Sequence, residues 1–248
     1  MGKNDDFRTS PVRDKEARPS TGTLTGAVRG ILALRKENPR ETAFQRLRLA
    51  EAAAENRSLE IRWRWLARAE LPAAAKEAVV FSIDPRFWRH RGVDWPRILE
   101  CWRRNRREGR PKQGGSTLSM QVVKNLFFSP RRTYRRKAAE AVLAPFMERV
   151  LGKERVLEIY LNIAEWGEGV FGIAAAAEFH FGKEARDLTV KETARLVAVL
   201  PAPLVWSPVR PPLHARLRAE RIRRRLESGS EAAGSRGPTA RGAWRDGS

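Results

Sequence analysis

The most informative stretch of the chain spans residues 114–125 and reads Gly114-Gly115-Ser116-Thr117-Leu118-Ser119-Met120-Gln121-Val122-Val123-Lys124-Asn125. The two glycines free the backbone, and Ser116 is suited to cap a helix that follows them. Leu118, Val122 and Leu126 then recur on one helical stripe. The stretch predicts a helix over 117–128 whose apolar stripe faces a core.

A polar stripe lies beside the apolar one on the same predicted helix. Thr117, Gln121 and Lys124 fall at i, i+4 and i+7, and the N–H groups at a helix N-terminus can bind an anion. Hydroxyl, amide and ammonium groups in one line suit phosphate together with sugar hydroxyls. The run is not a Walker P-loop, which places Gly-Lys-Ser/Thr at the end of its loop. Taken alone, it also fits a solvated helix face.

Outward from this stretch, the hydrophobic pattern remains mainly helical. Helical spacing predicts further helices at 41–55, 73–82, 96–107, 134–151, 153–164, 170–179 and 190–200. Ile61–Leu66 alternates apolar and charged residues, which indicates a short strand or extended arm. Residues 1–23 and 227–248 are polar, and we expect them to be disordered. The predicted fold class is mainly α, with one globular domain over residues 40–226.

The charge of the chain limits the kinds of partner that it can bind. The chain carries 49 Lys and Arg against 29 Asp and Glu, a net charge of +20, and 16 of those cations but only 3 of the acids lie in residues 86–137. Such a chain has an anionic partner or lies against an anionic surface. Phe87, Trp88, Trp95 and Trp102 interrupt the basic segment, which suits either nucleic acid or a membrane interface. Composition leaves both open.

Several classes of protein are excluded. Cys101 is the single cysteine, so neither a disulfide framework nor a multi-cysteine metal site can form within the chain. The three histidines lack ligand-like spacing, which disfavours a zinc enzyme. No window of about 18 apolar residues predicts a membrane span. Leu24–Leu34 is too short for one, contains Arg29 and lacks the cleavage site of a signal peptide.

Two further segments carry polar groups suited to a site. Asp84, His90 and Gly92 follow a predicted helix, where a loop can present them. Arg136 and Lys137 lie one helical turn before Glu140, and such neighbours keep a carboxylate ionised. Local capping and a surface ion pair are the simpler interpretations of these residues.

In their order and spacing these segments resemble the peptidoglycan glycosyltransferases of glycosyltransferase family 51, especially the monofunctional biosynthetic transglycosylases. The resemblance covers about residues 40–225 through five motifs: Asp84-x-x-Phe87-x-x-His90-x-Gly92, Gly114-Gly115-Ser116-Thr117-x-x-x-Gln121-x-x-Lys124-Asn125, Arg136-Lys137-x-x-Glu140-Ala141, Val156-Leu157-Glu158-x-Tyr160-Leu161-Asn162, and Phe181-Gly182-Lys183 through Leu188-Thr189-x-x-Glu192 to Pro201-x-Pro203.

The resemblance implies a lysozyme-like helical domain with a small membrane-contacting jaw. It implies polymerisation of lipid II into β-1,4 glycan strands, with release of undecaprenyl pyrophosphate, at the outer face of the cytoplasmic membrane. The expected partners are lipid II, undecaprenyl pyrophosphate, an anionic membrane surface and other cell-wall synthases, but not nucleic acid. No cofactor is required by this resemblance, which leaves open a divalent cation such as Mg²⁺ at the pyrophosphate.

The resemblance also assigns roles to residues. The donor pyrophosphate would be bound by Lys124, Arg132 and Lys137, with Glu140 as the second glutamate of the site. The other expected substrate contacts are Gln121, Asn125, Ser116, Thr117 and His90.

One position departs from the family pattern. Ile83 stands where the family places the glutamate that acts as general base on the acceptor hydroxyl. Asp84 is a weak substitute, because one step along a helix turns a side chain by about 100°. Glu77, six residues upstream, does not return to the same face.

The sequence therefore predicts a glycosyltransferase with an intact donor site and an impaired base. A non-catalytic lipid II-binding or scaffold homologue is the main alternative. A basic nucleic-acid-binding protein and a muramidase-like hydrolase are more remote; the hydrolase needs an acid of high pKa, which a glutamate among cations does not supply.

Overall fold

A computed structural model describes residues 23–109, 114–129 and 133–234. Within these ranges the chain forms ten α-helices and three short β-strands. The helices are α1 Leu24–Ala33, α2 Ala43–Ala54, α3 Ala73–Ile83, α4 Trp95–Arg107, α5 Leu118–Phe127, α6 Tyr134–Leu151, α7 Lys153–Ile163, α8 Gly172–Phe181, α9 Val190–Val199 and α10 Leu213–Gly234. The strands are β1 Arg62–Trp63, β2 Glu165–Gly167 and β3 Val170–Phe171. The predicted mainly helical class is confirmed.

The core is built around α5 and α7. All residues of α7 from Val156 to Ile163 are buried, because other elements surround this helix on every side. Helix α5 packs against α7 on one side and α6 on another, and its predicted apolar stripe is buried. The polar stripe of α5 is therefore positioned by two neighbouring helices.

A small sheet adjoins these helices, in the strand order β1-β3-β2. Strand β1 pairs parallel to β3, and β2 pairs antiparallel to β3. The strand predicted at Ile61–Leu66 is thus reduced to two residues. The β2–β3 hairpin was not predicted, since Glu165–Phe171 is buried throughout apart from Glu168 and shows no alternation.

The cap of α5 differs from the prediction. Thr117 rather than Ser116 is the N-cap residue, and its Oγ1 accepts a hydrogen bond of 3.2 Å from the N–H of Met120. Ser116 Oγ contacts the Lys137 ammonium instead. Capping requires an extended residue directly before the first helical one, and Thr117 takes that place.

The folded domain is larger than predicted at both ends. Helix α1 contributes Ala27, Ile31 and Leu34 to the core, although the predicted domain begins at residue 40. Helix α10 continues to Gly234, past the predicted start of a disordered tail at 227. The disorder predicted for 1–22 and 235–248 lies outside the described residues. No helix in the described ranges is both long enough and apolar enough to cross a membrane.

Candidate active site

The first two predicted motifs meet at the N-terminus of α5. Thr117 Oγ1 donates a hydrogen bond of 2.6 Å to the carbonyl of Gly92, and the N–H of Leu118 donates one of 3.0 Å to Asp84 Oδ2. Both Thr117 and Asp84 are fully buried. These bonds fix the loop after α3 against the start of α5, so neither side chain is accessible to a ligand.

The predicted third motif reaches the same end of α5. Lys137 Nζ contacts Ser116 Oγ and lies 3.0 Å from Glu140 Oε2. Arg136 Nε lies 2.9 Å from Glu140 Oε1. The Glu140 side chain is only 2% exposed, whereas that of Lys137 is 42% exposed. Glu140 thus holds two cations in place, and Lys137 remains open to an anion.

The polar stripe of α5 leads away from this point. Gln121 is half-buried, and its Oε1 accepts a long hydrogen bond of 3.5 Å from the Tyr160 hydroxyl on α7. Burial raises the pKa of Tyr160, which keeps the phenol protonated. Lys124 lies one turn further on, with Nζ 5.1 Å from the centre of the Phe44 ring.

Lys124 is part of α5, and Lys137 of α6 contacts Ser116, which directly precedes the N-cap residue of α5. Lys137 is held at Ser116, and Lys124 follows eight residues later, a rise of about 12 Å along the helix. Asn125 is buried, and its Oδ1 has no hydrogen-bond partner among the described residues. Arg132, the third predicted pyrophosphate ligand, lies outside the described residues.

His90 is enclosed between two carboxylates. Its Nε2 lies 2.9 Å from Asp84 Oδ2, and its Nδ1 lies 4.0 Å from Glu148 Oε1. Glu148 also accepts hydrogen bonds from Ser119 Oγ and, at 2.8 Å, from Lys153 Nζ. The His90 side chain is 8% exposed, so this arrangement suits a positioning role better than direct contact with substrate.

Ile83 is the last residue of α3 and is 9% exposed. Its carbonyl accepts a hydrogen bond of 2.8 Å from Arg97 Nη1, and the carbonyl of Ser82 accepts one of 3.0 Å from Arg218 Nη2. Two cations thus meet the negative end of the α3 dipole. Burial lowers the pKa of the Arg218 guanidinium, because the charged form is largely removed from water.

Neither Glu77 nor Asp84 replaces the missing carboxylate. Glu77, the upstream candidate, faces α10, where its Oε1 lies 3.4 Å from Arg225 Nε. Asp84 Oδ2 contacts His90 and the N–H of Leu118, and its buried Oδ1 lies 4.0 Å from Arg97 Nη1, so this carboxylate faces the interior. The end of α3 therefore presents an aliphatic side chain beside two guanidinium groups.

The sequence had not indicated Arg97, Arg218 or Glu148 as parts of the site. Arg97 lies in the basic segment 86–137, but that pattern indicates no contact for it, because the contacts of all three residues are made with other elements. Among the described residues, no group of three or more His, Cys, Asp and Glu side chains is arranged to hold a metal ion.

Comparison with known proteins gives one consistent result. A family model described as Transglycosylase matches residues 50–227. A biosynthetic peptidoglycan transglycosylase of Azoarcus sp. (strain BH72) is 42% identical over 192 residues, which cover 77% of this chain and 83% of that protein. One of Neisseria gonorrhoeae is 41% identical over 177 residues, covering 71% and 76%. One of Laribacter hongkongensis (strain HLHK9) is 43% identical over 166 residues, covering 67% and 73%.

Proposed function

The chain belongs to the transglycosylase family of peptidoglycan glycosyltransferases, and we propose that it polymerises lipid II with release of undecaprenyl pyrophosphate. The relatives are named for peptidoglycan biosynthesis, and the helical architecture agrees with a lysozyme-like transglycosylase domain. Work on a lipid-linked donor would place the protein at the outer face of the cytoplasmic membrane.

The observation that supports this proposal best is the partly exposed side chain of Lys137, whose ammonium lies at the start of α5. The leaving group of the reaction is a diphosphate, whose negative charge grows in the transition state. Preorganised cations stabilise such charge best where water is scarce. Lys137 of α6 is oriented by Glu140 and Ser116, and Lys124 adds positive charge further along α5. Gln121 adds a polar group suited to a sugar hydroxyl.

We further propose that catalysis is slow because Ile83 cannot accept a proton. General-base assistance contributes roughly 10²–10⁴ in rate. A glutamate at this position would lie close to Arg97 and Arg218, whose charges favour an ionised carboxylate. Such a carboxylate would be ready to take the proton of the acceptor hydroxyl at neutral pH. The rest of the site would bind the donor without this assistance.

A membrane surface is the proposed setting of the reaction. Trp95, Leu99 and Trp102 fall at i, i+4 and i+7 on α4 and are 65%, 45% and 55% exposed. The last turn of the helix carries Arg104, Arg106 and Arg107. Aromatic side chains beside cations suit the headgroup region of an anionic bilayer. Helix α4 follows the loop that begins at Asp84, directly after Ile83, so this contact would bring the site close to the lipid carrier.

The first experiment measures lipid II polymerisation by the purified protein and two variants. Ile83→Glu supplies a base. Ile83→Gln introduces a side chain of nearly the same shape as glutamate that cannot act as a base. We expect Ile83→Glu to increase the rate roughly 10²-fold or more over wild type, and Ile83→Gln to leave it unchanged. Addition of EDTA to the same assay tests whether a divalent cation takes part.

The controls separate the remaining functions. If wild type already equals Ile83→Glu in rate, the base is not impaired. If all three proteins bind lipid II but neither polymerise it nor release undecaprenyl pyrophosphate, the chain is a binding or scaffold homologue. If duplex DNA displaces lipid II from the protein at physiological salt, the nucleic-acid alternative is supported instead.

A further inference from the structure

A second concave surface lies far along the chain from the proposed site. A groove of about 950 Å³ is formed by α9, α10 and the segment between them. None of the predicted substrate contacts that the structure describes lines this groove. Its most informative lining residues are Lys191, Arg195, Arg210, Leu213, Arg216 and Leu217.

The groove offers apolar contact that the fold does not use. Leu213 and Leu217 are 68% and 58% exposed, and Val209 is 49% exposed. The two leucines are four residues apart on α10, so they lie on one face of the helix. Ala194 and Ala219 are buried and also line the groove. Exposed apolar side chains gathered in a concave surface are typical of a binding site.

Positive charge surrounds this apolar surface. Five cations and two carboxylates line the groove. Both carboxylates are already paired, because Arg223 lies 2.8 Å from Glu220 and 2.6 Å from Glu227. Within the described ranges, no side-chain hydrogen bond or ion pair engages the other four cations, which are Lys191, Arg195, Arg210 and Arg216. An occupant with acidic side chains would meet unopposed positive charge.

The two terminal segments outside the described residues lack the acidic excess of such an occupant. Residues 1–22 carry five Lys and Arg against four Asp and Glu, and residues 235–248 carry three Arg against one Asp. A second copy brings a net charge of +20 and would be repelled. A bilayer is also a poor match, because a flat surface does not enter a groove between two helices. The occupant is therefore an acidic segment of another protein.

We propose that the α9–α10 groove binds an acidic amphipathic helix of a partner protein. Apolar residues at i and i+3 or i+4 of that helix pack on Leu213 and Leu217, and flanking Asp or Glu residues pair with the four unengaged cations. This is the helix-in-groove mode of recognition. The proposal does not depend on lipid II being the substrate, because no proposed substrate contact is shared.

The test is selection of 14-residue peptides from a randomised display library against the purified full chain. We expect the selected peptides to be rich in Asp and Glu and to carry apolar residues three or four positions apart. Binding of labelled peptides is then measured by fluorescence anisotropy. The double variant Leu213→Ser with Leu217→Ser should weaken peptide binding at least tenfold. The double variant Lys191→Glu with Arg216→Glu should weaken it as much and also make peptide binding less dependent on salt.

A matched control reverses two exposed charges elsewhere, Lys36→Glu with Arg40→Glu, and should leave peptide affinity within twofold of wild type. Circular dichroism checks that each variant is folded, and lipid II turnover should be unaffected by all of them. The proposal is overturned if no peptide is enriched, if the selected peptides lack acidic excess, or if the groove variants bind them like wild type. Weaker binding of the groove variants to 1:1 phosphatidylglycerol–phosphatidylcholine vesicles, with peptide binding unchanged, would assign the groove to lipid.

Discussion

Gly92 shows how one residue can fix the geometry of the proposed site. Its φ is +79°, and a Cβ built there would lie 2.3 Å from the backbone nitrogen of Pro145. Pro145 stands inside α6, so backbone occupies the space and cannot move aside as a side chain could. The carbonyl of Gly92 also accepts the hydrogen bond from Thr117. Gly92 thereby holds the loop after α3 against α5 and α6.

Replacing Gly92 by alanine should therefore destabilise the fold strongly. We expect Gly92→Ala to lose at least about 3 kcal/mol in free energy of unfolding, from the left-handed backbone together with the overlap. The matched control is Gly182→Ala, which has φ +63° but no atom within 4 Å of its Cβ, and should lose about 1–2 kcal/mol. Urea denaturation measures both, and equal losses would contradict the role of the close approach.

Much of the individual site chemistry was visible in sequence where the partners share one helix. The ion pairs of Arg136 and Lys137 with Glu140 follow directly from a spacing of four and three residues. The hydrogen bond from Arg218 to the carbonyl of Ser82 joins residues 136 positions apart. No periodicity relates two such residues, so the guanidinium groups beside Ile83 could not be predicted.

Secondary-structure elements were likewise predictable where their pattern is local to the sequence. Most helices of the core were predicted to within a few residues, because burial of one face imposes a period of 3.6. Helix α10 was not predicted, although it contributes Ala219, Ile222 and Leu226 to the core. Leu24–Leu34, considered only as a membrane segment, instead supplies α1, since a short apolar helix can bury itself against α5 and α6. The β2–β3 hairpin was missed because burial on all sides removes the alternation that identifies a strand.

The hairpin is tied to α2 by a buried ion pair. Arg48 Nε and Nη2 lie 2.7 and 2.9 Å from the two carboxylate oxygens of Glu165, which is 7% exposed. Burial raises the pKa of Glu165 above its ordinary 4.5, and the hydrogen bonds from Arg48 only partly offset this. The folded chain therefore holds the Glu165 proton to higher pH than the unfolded chain, and ionisation above pH 4.5 costs stability.

Removal of Arg48 should make the stability of the fold depend strongly on pH. We expect Arg48→Met to lose about 3–5 kcal/mol at pH 8, where Glu165 would be ionised without its partner. The loss should be smaller at pH 5, because the further raised pKa lets Glu165 keep its proton. Arg46→Met is the control, since Arg46 pairs with the more exposed Glu41 and should lose under about 1 kcal/mol. Urea denaturation at both pH values gives the comparison, and equal losses for Arg48→Met would show that Glu165 does not titrate.

At the scale of the whole molecule, the net charge of +20 and the exposed stripe of α4 predict different behaviour at a membrane. Charge attracts the protein to any anionic surface, but salt screens this attraction within about 3 Å at 1 M ionic strength and 10 Å at 0.1 M. Insertion of Trp95 and Trp102 into the headgroup region depends on apolar area and is not screened. The two contributions can therefore be separated by salt.

We expect wild type to keep measurable binding to 1:1 phosphatidylglycerol–phosphatidylcholine vesicles at 0.5 M NaCl, and Trp95→Ser with Trp102→Ser to lose roughly tenfold or more of it, since each buried aromatic contributes about 1.5–3 kcal/mol. Phe179→Ser removes an aromatic that is 50% exposed on α8 and should leave vesicle binding unchanged. Co-sedimentation at 0.1 and 0.5 M NaCl measures all three proteins. If binding of wild type vanishes at 0.5 M, charge alone attracts the protein, and α4 does not orient the site toward the proposed lipid-linked donor.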